Sequence, residues 1–509
     1  MGSKVVRGTA ILVVAGVVAR VLGFFYRIYL ARAIGPQGMG LIAMTYPLWG
    51  MALNLSAMGI PVAVAKIVAE RASLAGRSLD NVLRFSFVFV LLLGVALSIA
   101  VIFAAPFLTR RLLSDPRSLY PLLASVPLIV IIPVSLVLRG YFQGMQQMHA
   151  LAVATVLEQV VRIASVVYLV RFFLPYGLAW GAVGAMVGVA VGEIAGLVVL
   201  LAFYHAPALL GRARPPRPAR DPRDALAPTG REILSLGTPV TGTRIVGSFT
   251  EIGDATIIPR RLEVTGFSRD AATAFYGNLS AMAMPLLFFP TVLTGALAAA
   301  LMPAISESEA VDGIAGVRAR TEKALHLTLL LAFPAAAVFV ALGHALGMVI
   351  YGQPGVGAML VPLPLAAPCI YVDNTLSAVL RGLGRPALPM VNGLVGSTVR
   401  LTLIYLLTMG TGAAVTIVLF AFALDMAITC ALNYRSVGRL VHFRLDVPRS
   451  VLLPLFASLL LAAAGRLALT VFAAPGHAGA VAVAVAVGAG FAVYLLTVWL
   501  AGALREVGI

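Results

Sequence analysis

The chain has 509 residues, of which 61% are hydrophobic and only 11% charged, with a formal net charge of +17. An ordinary soluble domain carries about 25% charged residues, so this composition excludes a soluble fold and defines a polytopic membrane protein. The two cysteines, Cys369 and Cys430, both fall in apolar stretches, which leaves neither a disulfide framework nor a zinc site and makes them packing residues.

A span of the hydrocarbon needs about 20 apolar residues. Apolar segments of that length are expected at 7–33, 41–69, 82–108, 120–142, 151–174 and 180–204. The first is interrupted by arginines and followed at once by a second apolar run, so it reads as a retained helix and not a cleaved signal. The polar stretch "GRARPPRPARDPRDALAPTGR" then breaks the pattern. Further segments are expected at 233–258, 273–303, 323–351, 356–380, 390–409 and 413–434, followed by a final pair at 450–472 and 479–502. The expected fold is an all-α integral membrane protein of about fourteen helices. Its expected domains are a six-helix lobe (1–204), a cytoplasmic Pro/Arg-rich linker (205–232), a second six-helix lobe (233–438) and an added helix pair (450–505).

Lysine and arginine orient such helices. They gather on alternate loops, at Arg71, Arg77 and Arg84, throughout the 211–231 linker, at Arg318, Arg320 and Lys323, and at Arg435, Arg439, Arg444 and Arg449. Those loops are therefore expected inside, with both termini cytoplasmic in a bacterial cell membrane. This bias and the attraction of basic loops for anionic membrane lipids account for the net charge without a nucleic-acid partner.

The two halves carry an internal repeat. "VLRGYFQG" (137–144) recurs as "VLRGLG" (379–384), and "VRIASVVYL" (161–169) as "VRLTLIYL" (399–406). Arg139 and Arg381 are as far apart along the chain as Pro61 and Pro303, and Arg162 and Arg400 depart from that spacing by a short gap. The more conspicuous match of "NLSAMGIP" (54–61) with "NLSAMAMP" (278–285) has a different offset and reads as coincidence. Each repeat holds an even number of crossings, so the copies are parallel, the arrangement of alternating-access transporters with a central site.

Charge inside the apolar segments is the main functional signal, because a charge at mid-bilayer costs about 2.5–3.5 kcal/mol on insertion scales. Arg20 and Arg27 are nearly two helical turns apart, so they share one face about 10 Å apart along the axis. Arg32 is near the outer end and can snorkel. Lys66 adds a cation in the second segment. Candidate acidic partners are Glu158, Glu193, Glu251, Asp254, Asp373 and Asp425. Glu158 and Arg162 are spaced to pair on their own helix. Arg244, Glu251 and Asp254 are expected to line a stripe of the second lobe, opposite Arg20. A cationic wall favours an anionic ligand, and arginine forks suit phosphate oxygens. No GxxxxGK[ST] loop or HExxH spacing occurs, and no cofactor is expected.

The stretches "ARVLGFFYRIYLARAIGPQGMGLIAMTYPLWGMALNLSAMGIPVAVAKIVAE", "LRGYFQGMQQMHALAVATVLEQVVRI" and "FPTVLTGALAAALMPAISE" resemble the stage V sporulation protein B and polysaccharide-transporter branch of the multidrug/oligosaccharidyl-lipid/polysaccharide flippase superfamily. The resemblance implies fourteen helices in two lobes and a membrane flippase, not an enzyme. It implies movement of undecaprenyl-pyrophosphate-linked sugars, lipid II-like or polysaccharide units, from the inner to the outer leaflet. It also implies that Arg20 matches a first-helix arginine that lipid II flippases use on the substrate diphosphate, with Arg27 one position from a second, and that the final helix pair borders a groove for the polyprenyl tail. The chain departs from those flippases in "PLWGMALNLS" and "AMPLLFFP", which lack their charges. Arg244 is the candidate replacement, and with Arg20, Arg27 and Lys66 it completes the expected diphosphate-binding set. A proton or sodium ion at Glu251 or Asp254 is a candidate coupling ion, and the membrane potential is the alternative. The competing functional readings are a cation-coupled multidrug exporter of the same superfamily and a membrane enzyme or non-transporting membrane scaffold.

Overall fold

A computed structural model describes residues 2–73, 79–205, 226–408, 413–472 and 479–502, and all of its regular elements are helices. Residues 206–225 of the expected linker lie outside the described residues. Helices suit a chain of this composition because an α-helix satisfies its backbone groups within the segment where no water is at hand. Among the described residues, twelve helices are long and apolar enough to cross a membrane, against fourteen expected segments. One of the twelve, Val14–Arg71, takes in most of the first expected segment and all of the second. The expected seventh segment lies in a long, less apolar helix that is not among the twelve.

The chain forms two compact units, one of residues 1–256 with 269–277 and the other of residues 257–268 with 278–509. In the first, α1 (Gly2–Ala57) is regular up to Gly35, whose φ of 65° and ψ of −177° belong to a region open essentially to glycine. Pro36 follows, and the kink divides the first two expected segments. Met58 and Gly59 then turn the chain with positive φ into α2 (Ile60–Ser73). Next come α3 (Asp80–Arg111), the short α4 (Leu119–Ser125), α5 (Leu128–Gly144), α6 (Met148–Phe173) and α7 (Leu178–His205). Ile60, Val64 and Ile67 of α2 pack with Val82 and Val90 of α3 and Val137 of α5.

The helix α8 (Leu226–Val264) joins this unit over its first part. Ile233 enters the α2/α3 core, and Gly237 meets the turn at Gly59, where a Cβ on Gly237 would lie 2.3 Å from the Met58 carbonyl oxygen. Arg71 Nη2 donates to Glu232 Oε2 at 3.0 Å. Close backbone packing accompanies this part of the helix, and its residues up to Thr256 fall in the first unit. The eighth expected segment is likewise not one rod. It consists of α9 (Arg269–Tyr276), a wide turn over Gly277–Ala283, α10 (Met284–Leu287) and then α11 (Thr291–Val311). "NLSAMGIP" thus ends a helix and turns, whereas "NLSAMAMP" runs through the wide helical turn into α10, consistent with a coincidental match.

The second unit contains α11, α12 (Gly313–Leu346), α13 (Pro354–Met359), α14 (Ala367–Gly382), α15 (Ala387–Leu407), α16 (Ala414–Val441), α17 (Leu453–Phe472) and α18 (Ala480–Leu500). Ile305, Leu325, Leu376, Leu380 and Val437 form one core. The final pair packs on α12 through Leu342, Leu461, Ala486 and Tyr494, whose hydroxyl donates to the Leu330 carbonyl at 2.7 Å. The opposite side of the pair, with Leu459, Leu467, Val471 and Trp499, is exposed and apolar.

The repeat read from the sequence has a structural counterpart. In "LRG" of α5, a Cβ on Gly140 would lie 2.5 Å from the Pro61 carbonyl oxygen, and in "LRG" of α14 a Cβ on Gly382 would lie 2.8 Å from that of Met302, next to Pro303. Only glycine permits either approach, so both units seat this motif on the proline-containing helix before it.

Candidate functional site

Helix α7 reads "GAVGAMVGVAVGEIAG", and Gly184, Gly188, Gly192 and Gly196 recur every four residues along one face. That face lies on α6 in antiparallel register, with Gly184 against Leu169, Gly188 against Val166, Gly192 against Arg162 and Gly196 against Glu158. Small residues let two membrane helices approach until backbone and side-chain dispersion hold them. The consequence for charge is direct, because the seam brings Glu193 of α7 to Arg162 of α6, with Arg162 Nη2 donating to Glu193 Oε1 at 2.5 Å.

The same Nη2 donates to Glu158 Oε1, the pair expected from its spacing, and Arg139 of α5 donates to Glu158 Oε2. Arg139 Nη1 also donates to Thr155 Oγ1 at 3.0 Å. Two arginines and two glutamates, all largely buried, therefore neutralise one another across three helices. A buried charge is tolerated when it is paired and hydrogen-bonded. The repeat predicts a counterpart, and the second unit has one. Arg400 of α15 pairs with Asp425 of α16 and lies 4.5 Å from the centre of the Phe422 ring. Beside it, Asn433 Nδ2 donates to Asp373 Oδ1 at 2.6 Å, and Asn392 Nδ2 donates to Asn433 Oδ1 at 2.7 Å.

Four of the six candidate acids are thus engaged away from helix α1. Among the described residues, Arg20 and Arg27 form no ion pair. Arg20 is exposed and Arg27 half-buried, on the regular part of α1 before the Gly35 kink. Between them Gly23 faces Gln159 of α6, and just past Arg27 Tyr29 donates to the Val167 carbonyl at 3.3 Å, so α6 supports this stretch of helix. Gln159 accepts from Arg162 Nη1 at 3.3 Å, which connects the neutral network to α1 on the face that carries Arg20 and Arg27.

The other sequence candidates are less uniform. Lys66 is exposed and sits 3.8 Å from Glu70 on its own helix. Arg244 is exposed on α8 and makes no ion pair with Glu251, which is also exposed, while Asp254 is half-buried. One turn beyond Arg244, Ser248 Oγ accepts from Asn54 Nδ2 of α1 at 3.4 Å. Arg244, Glu251 and Asp254 fall in the same compact unit as Arg20. Sequence reasoning did not assign Arg139 or Glu193 to the Arg162 network. The repeated "LRG" marked Arg139, but only the glycine seam brings Glu193 within reach.

Fold comparison defines the class. The structure superposes on a lipid II flippase MurJ in an inward closed conformation with a TM-score of 0.70 at 14% identity, covering 98% of this chain and 99% of that one. It also superposes on an inward-facing multidrug resistance MATE transporter of the MOP superfamily, with a TM-score of 0.68 at 16% identity over 83% and 94% of the two chains. This is the fold of the multidrug/oligosaccharidyl-lipid/polysaccharide transporters. The chain belongs to the polysaccharide biosynthesis protein family, which matches residues 5–309, and within it to the stage V sporulation protein B branch. It is 34% identical to stage V sporulation protein B of Bacillus subtilis (strain 168) over 87% of this chain and 85% of that protein. Lipid II flippase MurJ of the same organism is 23% identical over 79% and 77%.

Proposed function

We propose that this multi-pass membrane protein is a flippase for undecaprenyl-pyrophosphate-linked sugars, a lipid II-like precursor or a polysaccharide unit, which it carries from the inner to the outer leaflet by alternating access. The observation that carries the reading is the pair Arg20 and Arg27, free of ion pairs among the described residues while Glu158, Glu193 and Asp425 are paired with other arginines. A diphosphate presents oxygens on both phosphorus atoms, and two guanidinium forks about 10 Å apart can flank it. Similarity to a lipid II flippase supports the substrate class.

The apolar outer side of α17 and α18 suits a polyprenyl chain that stays in the bilayer while its head crosses. Arg244, one turn from the Asn54 to Ser248 contact, is the candidate third cation. The inside-negative potential favours outward movement of an anionic head by about 2.3 kcal/mol per charge per 100 mV, so no dedicated coupling ion is needed. Native mass spectrometry of the purified protein with undecaprenyl-pyrophosphate glycolipid tests the site. Saturable binding that weakens in Arg20→Ala and Arg27→Ala is expected, and equal binding in all three proteins overturns the assignment.

A further inference from the structure

At one end of the second unit, Glu322, Lys323, His326, Arg444, Asp446, Arg449 and Ser450 surround a cavity of about 260 Å³. It lies where α12 meets the segment leading into α17, at an end bearing Arg318, Arg320, Arg435 and Arg439, which the charge pattern expects to be cytoplasmic. Its volume is below the ~300–1,000 Å³ of pockets for drug-sized ligands and suits a small polar group.

Three features give the cavity a chemistry. His326 is only 9% exposed, its Nδ1 lies 3.0 Å from Ser450 Oγ, and its Nε2 has no hydrogen-bond partner. A buried ring nitrogen left unpaired is costly unless a ligand or water satisfies it. Of the two acids at the rim, Glu322 accepts from Arg318 Nε at 2.9 Å and from the Arg444 backbone amide at 2.8 Å, and Asp446 accepts from the Arg449 amide at 3.3 Å. The Lys323 ammonium and the Arg444 guanidinium form no ion pair among the described residues. The cavity thus offers two uncommitted cations and a buried imidazole, with its carboxylates already engaged.

The surface beyond it is apolar. Leu452, at the end of the turn leading into α17, and Phe456 and Leu459 on α17 repeat at helical spacing along one exposed face, with Leu455 beside them. A polar head in the cavity would leave its attached chain along this stripe. We infer that the Lys323/His326/Arg444 cavity is a site for the phosphate headgroup of an anionic phospholipid whose acyl chain lies on α17. Basic pockets between membrane helices bind such headgroups by charge and hydrogen bonding together. The site is separate from Arg20 and Arg27 and does not depend on which sugar, if any, the protein moves.

The test is native mass spectrometry of the delipidated full-length protein titrated with phosphatidylglycerol, with phosphatidylcholine of the same chains, and with inorganic phosphate as competitor. Saturable phosphatidylglycerol binding is expected, about 30-fold weaker in Lys323→Gln/Arg444→Gln, since each cation near an anionic headgroup is worth roughly fivefold. Phosphatidylcholine should bind more weakly and be indifferent to the substitutions. Arg435→Gln/Arg439→Gln removes the same charge from exposed positions outside the cavity and should bind as wild type. An equal loss in that control, or none in the Lys323/Arg444 variant, overturns the site. Displacement of phosphatidylglycerol by inorganic phosphate overturns the lipid assignment in favour of a soluble phosphate.

Discussion

Gly192 of α7 lies so close to Arg162 of α6 that a Cβ on the glycine would come within 2.5 Å of the arginine Cβ. The glycine seam and the buried charge network are therefore one construction. Gly192→Ala should separate the helices and cost about 1–3 kcal/mol, as overpacking does elsewhere. Gly393→Ala, where nothing lies within 4 Å of the added carbon, is the matched control and should be neutral or stabilising. Thermal unfolding of both variants in detergent checks this, and similar melting temperatures would mean that the seam does not hold the helices.

Arg162 neutralises two glutamates at once. Arg162→Met should cost about 3–5 kcal/mol, because it strands buried carboxylates. Adding Glu193→Met should recover most of that loss, since Arg139 still pairs with Glu158. The equivalent Arg400→Met should behave similarly through Asp425. A double variant no more stable than the single would show that the network does not act as a unit.

At the short turn after α3, Asp115 is buried and accepts from the Arg117 amide at 3.0 Å, from Arg117 Nε at 3.0 Å and from Thr273 Oγ1 at 3.1 Å. Burial pushes its carboxyl up, but the bonds from Arg117 and Thr273 more than offset this and hold it below the ordinary carboxylate value. A depressed folded value means that Asp115 stabilises the fold above the unfolded carboxylate pKa of about 3.9, and that this contribution is lost as pH falls through the lower folded value. Asp115→Asn should therefore lower the melting temperature at pH 6 more than at pH 3. An equal effect at both would contradict the linkage.

Arg20 and Arg27 should behave in the opposite way to Arg162. With no ion pair to lose, Arg20→Ala and Arg27→Ala should change stability by no more than about 0.5 kcal/mol. Arg244→Ala should also leave stability unchanged while weakening glycolipid binding. A large loss of stability in any of the three would assign that arginine to the fold and not to a ligand.

Much of this was legible in the chain. Hydropathy alone gave the helical membrane fold, and the paired "LRG" and "VR" motifs marked positions that occupy equivalent packing in both units. Spacing on one helix was enough for Glu158 and Arg162. It was not enough for Glu193, whose partner is set by the register of two helices, or for Arg244. The packing of the first part of α8 depends on close contacts such as Gly237 with Met58, which no local pattern records.

If the first-helix arginines handle a lipid diphosphate during transport, translocation depends on both of them. The most direct test is translocation of a labelled undecaprenyl-pyrophosphate disaccharide in proteoliposomes, comparing wild type, Arg20→Ala and Arg27→Ala at equal incorporation. Translocation by wild type should accelerate with an inside-negative potential and fall at least tenfold in both variants. Equal rates in all three, or none above protein-free vesicles, would contradict that role.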